Sequence, residues 1–245
     1  MAQDFHLHHS IKDTHDHHDE EHFNAPDVLR DIVIGMADGL TVPFALAAGL
    51  SSAVDNNSII ITAGIAEIIA GSIAMGLGGY LSGKTEYNHY FSELRREYDE
   101  VERLPEREKQ EIYDLLGEYN LSENTKHQFV EELSQDKDRW VDFMMKFELS
   151  LEKPDVKRAS KSAFNIAISY IIGGIVPLLP YFFTDKPSDG LIYSAAVTIV
   201  VLMIFGYIKS RIIGQSPWSG ALKTASIGAV AAAAAYFIAK WIEHI

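Results

Sequence analysis

The feature that most constrains this chain is the stretch of residues 58–104, which contains no proline. Its first half is apolar (IIITAGIAEIIAGSIAMGLGGYLSG) and its second half is charged (KTEYNHYFSELRREYDEVERL). A continuous helix of this length would extend roughly 65–70 Å, about twice the hydrocarbon thickness of a bilayer. The stretch therefore predicts one helix whose first half crosses a membrane and whose second half stands in water.

Four further apolar blocks have the length of a membrane span, at residues 28–53, 163–183, 190–208 and 221–242. Each is close to the ~20 residues that a helix needs to cross the hydrocarbon core. Lysine and arginine are abundant beside the charged segment and after the fourth span, whereas the loops on the opposite side carry almost none. Because basic loops stay in the cytoplasm, we expect the N-terminus and the charged segment to be cytoplasmic.

These patterns predict an all-α, polytopic membrane protein with five transmembrane helices and a three-helix cytoplasmic insert. Residues 1–26 would form a disordered His-rich tail, 27–82 the first two spans, 83–160 the insert and 161–245 the last three spans. Within the insert, Pro105 should end the first helix, a second should cover about 106–119, and a third about 122–151. The tail holds seven of the ten histidines and is either a low-affinity collector of divalent metal or a solvated segment.

Charge and composition exclude several classes of function. The formal net charge of −13 leaves no basic stripe to meet phosphates, so nucleic acid is not expected as a partner. The chain has no cysteine, which excludes disulfides, thiolate metal sites and cysteine nucleophiles. It shows no paired nucleophile and base, so an enzyme is the least expected class.

Two acids lie inside predicted spans, Asp38 in the first and Glu67 in the second. A carboxylate there costs about 2.5–3.5 kcal/mol on insertion scales, so it normally faces a cavity or a partner. Met75 is as far from the turn between these spans as Asp38, which predicts similar depth, and Glu67 should lie about 12 Å nearer the outer face. Carboxylate oxygen beside a thioether suits a transition metal, although a lone methionine is more often a packing residue.

The insert carries acids that share helix faces. On its first helix they follow steps of 7, 4 and 3, at Glu86, Glu93, Glu97 and Glu100. Further acids follow on its second helix, and another lies beside two methionines at the surface of the third: Glu108, Glu111 and Glu118, then Glu148 with Met144 and Met145. Aligned carboxylates repel, so they need either a bound cation or basic partners, for which Arg95, Arg96, Arg103 and Arg107 are available.

The sequence resembles the vacuolar iron transporter family from about Asp27 to the C-terminus. The similarity is most specific in DGLTVPFALAAG (residues 38–49), AMG (74–76) and DFMMKFELSLEKP (142–154). The resemblance implies a homodimer of five-span protomers that exchanges cytosolic Fe²⁺ for protons along a path between the protomers.

The resemblance also assigns roles to individual residues. The membrane metal site would fall on Asp38 and Met75, with Glu67 further along the path. The cytoplasmic domain would bind metal through Glu97, Glu100, Glu108, Glu111, Met144, Met145 and Glu148.

Several points stay open at the level of sequence. A Mn²⁺-preferring transporter would share every feature above, and Co²⁺ and Zn²⁺ are further candidate ions. A non-transporting membrane metal sensor would use the insert but would not need the intramembrane acids. No prosthetic group is expected beyond the transported ion. The bilayer would be the cytoplasmic membrane in a prokaryote and the vacuolar membrane in a eukaryote.

Overall fold

The computed structural model describes residues 25–243 and contains only helices and their connections over that range. The helices are α1 (Ala25–Ala53), α2 (Asn57–Arg103), α3 (Pro105–Gly117), α4 (Glu123–Leu133), α5 (Lys137–Phe143), α6 (Arg158–Leu178), α7 (Pro187–Ile212) and α8 (Pro217–Glu243). A π-helical turn, Met144–Glu148, continues α5, and a 3₁₀ turn, Leu179–Phe182, continues α6. The all-α prediction is confirmed. The His-rich tail lies outside the described residues except for its last two positions.

Five of these helices, α1, α2, α6, α7 and α8, are long and apolar enough to cross a membrane. They match the five predicted spans in order. The prediction of five helices able to cross a membrane is therefore confirmed, as expected of an integral membrane protein.

Helix α2 is continuous over its 47 residues, as its sequence predicts. The side chain of Asn56 caps its start by accepting a hydrogen bond from the backbone N–H of Ser58 at 2.8 Å. At the other end, Pro105 becomes the first residue of α3, where its missing N–H costs no helical hydrogen bond. Helix α2 thus joins the membrane part of the protein to the insert without a break.

Helix α6 packs between α1 and α2 at close range. A Cβ added to Gly173 of α6 would lie only 2.9 Å from the backbone nitrogen of Leu40 in α1, and Gly76 of α2 faces Ala163. Small residues at such positions let membrane helices approach closely and gain van der Waals contact. These three helices form the packed centre of the membrane part.

A buried ion pair ties the insert-side ends of α1 and α6 together. Asp31 is 1% exposed and accepts hydrogen bonds from Arg158 at 2.7 and 3.1 Å and from Ser162 at 2.9 Å. In the sequence, Arg158 counts only as a basic residue of the insert flank. In the structure Asp31 neutralises the charge of Arg158. This ion pair fixes the start of α6 against α1, where the chain returns from the insert to the membrane.

The insert has its own hydrophobic core, but it is not the predicted three-helix unit. The expectation of one helix over residues 122–151 is wrong, because the chain turns after Leu133 and starts again at Lys137. Asp136 explains the restart, since its side chain accepts from the backbone N–H groups of Asp138 and Arg139 at 3.1 and 3.2 Å. The core takes residues from each part of the insert, among them Val101, Ile112, Val130, Trp140 and Met144.

Candidate functional site

Three carboxylates converge at the corner between α2 and α3. Glu97 and Glu100 are one helical turn apart on α2, and the reversal at Pro105 brings Glu108 of the first turn of α3 against them. One carboxylate oxygen from each lies within 4.8 Å of the others. We refer to Glu97, Glu100 and Glu108 as the acidic cluster. Its members were predicted from the sequence, and the structure brings all three together.

The acidic cluster is short of hydrogen-bond partners. Glu97 and Glu108 are each 2% exposed, and one oxygen of each, Oε2, is buried without a hydrogen-bond partner. A buried unpartnered carboxylate oxygen is costly, and a cation is the species that would remove the cost from both at once. Burial and the nearby charges of Glu111 and Glu97 raise the pKa of Glu108 to about 7.

Glu111 and Glu148 lie at the edge of the acidic cluster. Partial desolvation and the charges of Glu111 and Glu97 raise the pKa of Glu148 to about 7, which places these carboxylates near one another. Glu111 also forms an ion pair with Arg107 at 3.0 Å. Five predicted acids from three parts of the insert therefore share one region, with Glu111 already partly neutralised.

Both methionines lie in the insert core rather than at the helix surface, so that prediction is wrong. Met144 is 0% exposed and Met145 is 1% exposed. Each lies four residues after another buried side chain, Trp140 for Met144 and Val141 for Met145, so both continue the inward face of α5. The π turn begins at Met144, where the backbone N–H of Leu149 donates to the carbonyl of Met144 at 3.1 Å, and Phe147 within this turn is 49% exposed. Their role as ligands remains a prediction.

In the membrane part, Glu67 is half-buried and has one partner. The hydroxyl of Tyr170 in α6 donates a hydrogen bond to its Oε1, while its Oε2 is buried without a partner. Tyr170 is 2% exposed, and its ring lies against Gly71, one turn from Glu67 on α2. The intramembrane acid is therefore oriented by a tyrosine from the central helix.

Asp38 and Met75 are also half-buried, and Met75 and Glu67 line different cavities. Met75 lines a cavity of about 400 Å³ between α1, α2 and α6, together with Asp31 and Ser162. Glu67 instead lines a groove between α1, α2 and α8 with Val42 and Ala235.

Comparison with known proteins agrees with this architecture. The model of the VIT family matches residues 29–240, which is most of the chain. The chain belongs to the VIT family. All ten predicted site residues fall inside the matched range, whereas the His-rich tail lies outside it.

Named members of the VIT family are similar over nearly the whole chain. "Vacuolar iron transporter 1" of Arabidopsis thaliana is 50% identical over 229 residues, covering 94% of this chain and 92% of that protein. The protein of the same name from Tulipa gesneriana is 51% identical over 228 residues, covering 93% and 92%. "Protein CCC1" of Saccharomyces cerevisiae is 41% identical over 227 residues, covering 88% and 69%.

Sequence reasoning missed two interactions in this VIT-family chain. No role is assigned to Asp31 from the sequence, although Asp31 lies on the same helix face as Gly35, one turn before the tight contact with α6. That spacing was a usable sign of burial. Nothing local in the sequence pairs Tyr170 with Glu67, because the two are 103 residues apart and meet only through the packing of α6 on α2.

Proposed function

We propose that this protein transports Fe²⁺ across a membrane out of the cytosol, and into the vacuole of a cell that has one, in exchange for protons. The observation that carries the proposal is identity of about half of all residues to proteins named vacuolar iron transporters, over more than 90% of the chain. Five spanning helices with acids inside two of them agree with a transporter rather than an enzyme.

The insert collects the ion on the cytoplasmic side. Basic residues flank it, which supports its cytoplasmic placement and that of the N-terminus. The acidic cluster provides hard oxygen ligands, two of them buried and unpartnered, and Glu111 and Glu148 add further oxygen at its edge. Because Glu108 and Glu148 hold protons up to about pH 7, an arriving divalent ion displaces protons as it binds.

The membrane path runs past Met75 and Asp38 and then Glu67. Ile166 of α6 lies against both Gly35 of α1 and Gly79 of α2, so these two glycines are level. Asp38 lies one turn deeper in the membrane than Gly35 on α1, and Met75 lies one turn deeper than Gly79 on α2. This supports a similar depth for Asp38 and Met75. Glu67 is two turns further along α2, where Tyr170 holds one of its oxygens.

A homodimer explains why these path residues are only half-buried. An acid or thioether on the outer surface of a protomer would otherwise meet lipid, which is costly for the acid. Apolar side chains of α2 are exposed on the same helix, including Ile69 at 56% and Ile73 at 65%. A second protomer seated there would enclose a path between the two copies.

Mn²⁺ is the alternative cargo that the site favours. The acidic cluster presents oxygen ligands, and carboxylate oxygen suits Mn²⁺ as well as Fe²⁺. Competition among Fe²⁺, Mn²⁺, Co²⁺ and Zn²⁺ in one uptake assay ranks them. A metal sensor without transport would have no use for Asp38 and Glu67.

Uptake of Fe²⁺ into proteoliposomes, with internal pH recorded, tests the proposal. Asp38→Asn keeps the shape of the side chain, removes its charge and should abolish uptake. Asp55→Asn, at an exposed acid in the turn between α1 and α2, is the matched control and should transport normally. Uptake by Asp38→Asn at the wild-type rate would contradict the central role of this acid. A pH gradient without effect on uptake would rule out proton exchange.

A further inference from the structure

The guanidinium of Arg96 reaches three carboxylates at once. Its Nη1 lies 2.7 Å from Glu93, its Nη2 lies 3.4 Å from Glu97, and its Nε lies 3.4 Å from Glu100. Two of these partners belong to the acidic cluster, and the third, Glu93, does not. Over residues 27–243, no other Lys, Arg or His comes within 4.0 Å of a carboxylate of the acidic cluster.

Two of the other arginines that the sequence offers as partners, Arg103 and Arg107, are engaged elsewhere. Arg107 pairs with Glu111 at 3.0 Å, and Arg103 pairs with Asp99 at 4.0 Å on an exposed face of α2. Arg96 is therefore the positive charge that offsets part of the repulsion between Glu97 and Glu100. It leaves Oε2 of both Glu97 and Glu108 unpartnered, so the neutralisation is incomplete.

A divalent ion and this guanidinium compete for the negative charge of the same two carboxylates, Glu97 and Glu100. An ion bound by the acidic cluster would lie close to the guanidinium of Arg96, and the two positive charges would repel at short range. Arg96 need not leave its helix face when this happens. Its shortest contact is with Glu93, which lies one turn earlier on α2 and can retain the guanidinium after the other two carboxylates turn to the metal.

We propose that Arg96 is an internal competitor of the metal: it sets the affinity of the acidic cluster and speeds release of the ion. The inference rests on the proposed function of the cluster as the collecting site. A collecting site in a transporter must give up its ion, and a tethered charge that returns to Glu97 and Glu100 lowers the barrier to release.

The test compares charge removal at two arginines of the same helix in the full-length protein in detergent. Arg96→Gln removes the competitor, and Arg103→Gln removes the same charge at a position away from the acidic cluster. Binding of Mn²⁺, and of Fe²⁺ without oxygen, is measured by titration calorimetry, and release is measured by stopped-flow mixing with a chelator. We expect Arg96→Gln to bind metal about tenfold more tightly and to release it more slowly. The variant lacks the two ion pairs at 3.4 Å that compete with the metal, and it lacks the charge that repels the metal.

Arg96→Lys separates charge from geometry. A lysine keeps the positive charge on a flexible stem, so its affinity should lie between those of wild type and Arg96→Gln. A purely structural role for Arg96 predicts the opposite sign, because losing the group that holds Glu97 and Glu100 in place would weaken metal binding.

The outcomes distinguish this inference from the function on which it rests. If wild type binds no metal, or if Glu97→Gln leaves binding unchanged, the collecting site itself is refuted. If wild type binds metal through Glu97 but Arg96→Gln binds no more tightly than Arg103→Gln, the competitor is refuted and the collecting site stands. Weaker binding by Arg96→Gln also overturns the inference.

Discussion

The effect of Glu108 on the free energy of unfolding measures how much the acidic cluster destabilises the folded insert when no cation is bound. Its side chain is 2% exposed, and its pKa rises from an ordinary 4.5 to about 7 because of burial and the neighbouring carboxylates. The folded protein therefore binds this proton more tightly than the unfolded chain does. The stability that protonation supplies is complete below about pH 4.5 and is lost as the pH rises through about 7.

The size of the effect follows from the displacement of the pKa. Each pKa unit corresponds to about 1.4 kcal/mol, so ionised Glu108 costs the folded insert about 3 kcal/mol at pH 8. Glu108→Gln keeps the shape and removes the charge. Without metal, it should raise the free energy of unfolding by up to about 3 kcal/mol at pH 8 and change it little at pH 4.

Trp140 provides the readout. It is 4% exposed in the insert core, and two of the three tryptophans, Trp218 and Trp241, lie in α8. In a Trp218→Phe, Trp241→Phe background, tryptophan fluorescence during denaturant unfolding follows the insert within the full-length protein. Glu106→Gln, at an exposed acid in the same first turn of α3, is the matched control and should change the stability by much less.

Two results would refute this reasoning. One is a Glu108→Gln variant that is less stable than wild type at pH 8, which would mean that the carboxylate is favourably partnered. The other is an equal gain at pH 4 and pH 8, which would mean that the gain has nothing to do with ionisation. Saturating Mn²⁺ should reverse the order at pH 8, because it stabilises wild type and binds the variant poorly.

Three further predictions follow from other contacts. Tyr170→Phe keeps the ring packing but removes the hydroxyl that donates a hydrogen bond to Glu67. The transport rate should fall about tenfold or more while the protein stays folded, and a wild-type rate would contradict a role of Tyr170 in positioning Glu67. Asp31→Asn leaves Asp27, 3.1 Å from the Nε of Arg158, as the remaining acidic partner of that largely buried guanidinium. It should destabilise the membrane part by up to about 3 kcal/mol in thermal unfolding, with recovery in the Asp31→Asn, Arg158→Leu double variant. Metal binding to the acidic cluster should weaken as the pH falls below about 7, and binding should release protons. Calorimetry in two buffers of different ionisation enthalpy measures the number of protons released. An equal metal affinity at pH 5.5 and pH 7.5 would contradict this prediction.

Local pattern was sufficient for the five apolar helices and for α2, but it did not select the acidic cluster. Helical spacing placed Glu86, Glu93, Glu97 and Glu100 on one face, and only the family resemblance grouped Glu108 with Glu97 and Glu100. Apolar spacing alone could not distinguish the break at Asp136 from a continuous helix. Leu133 before the break and Trp140 after it are seven residues apart, which is the spacing of two turns of one helix.

The sequence by itself determined the five spans, the unbroken α2 and the acids on its faces, because each depends on hydrophobicity and periodicity over neighbouring residues. Tertiary structure alone decided which charges are neutralised and which are left for a cation. Asp31 meets Arg158 across 127 positions, and Glu67 meets Tyr170 across 103. These outcomes depend on how distant helices pack, and the energy of a buried charge is set by the partners that packing brings to it.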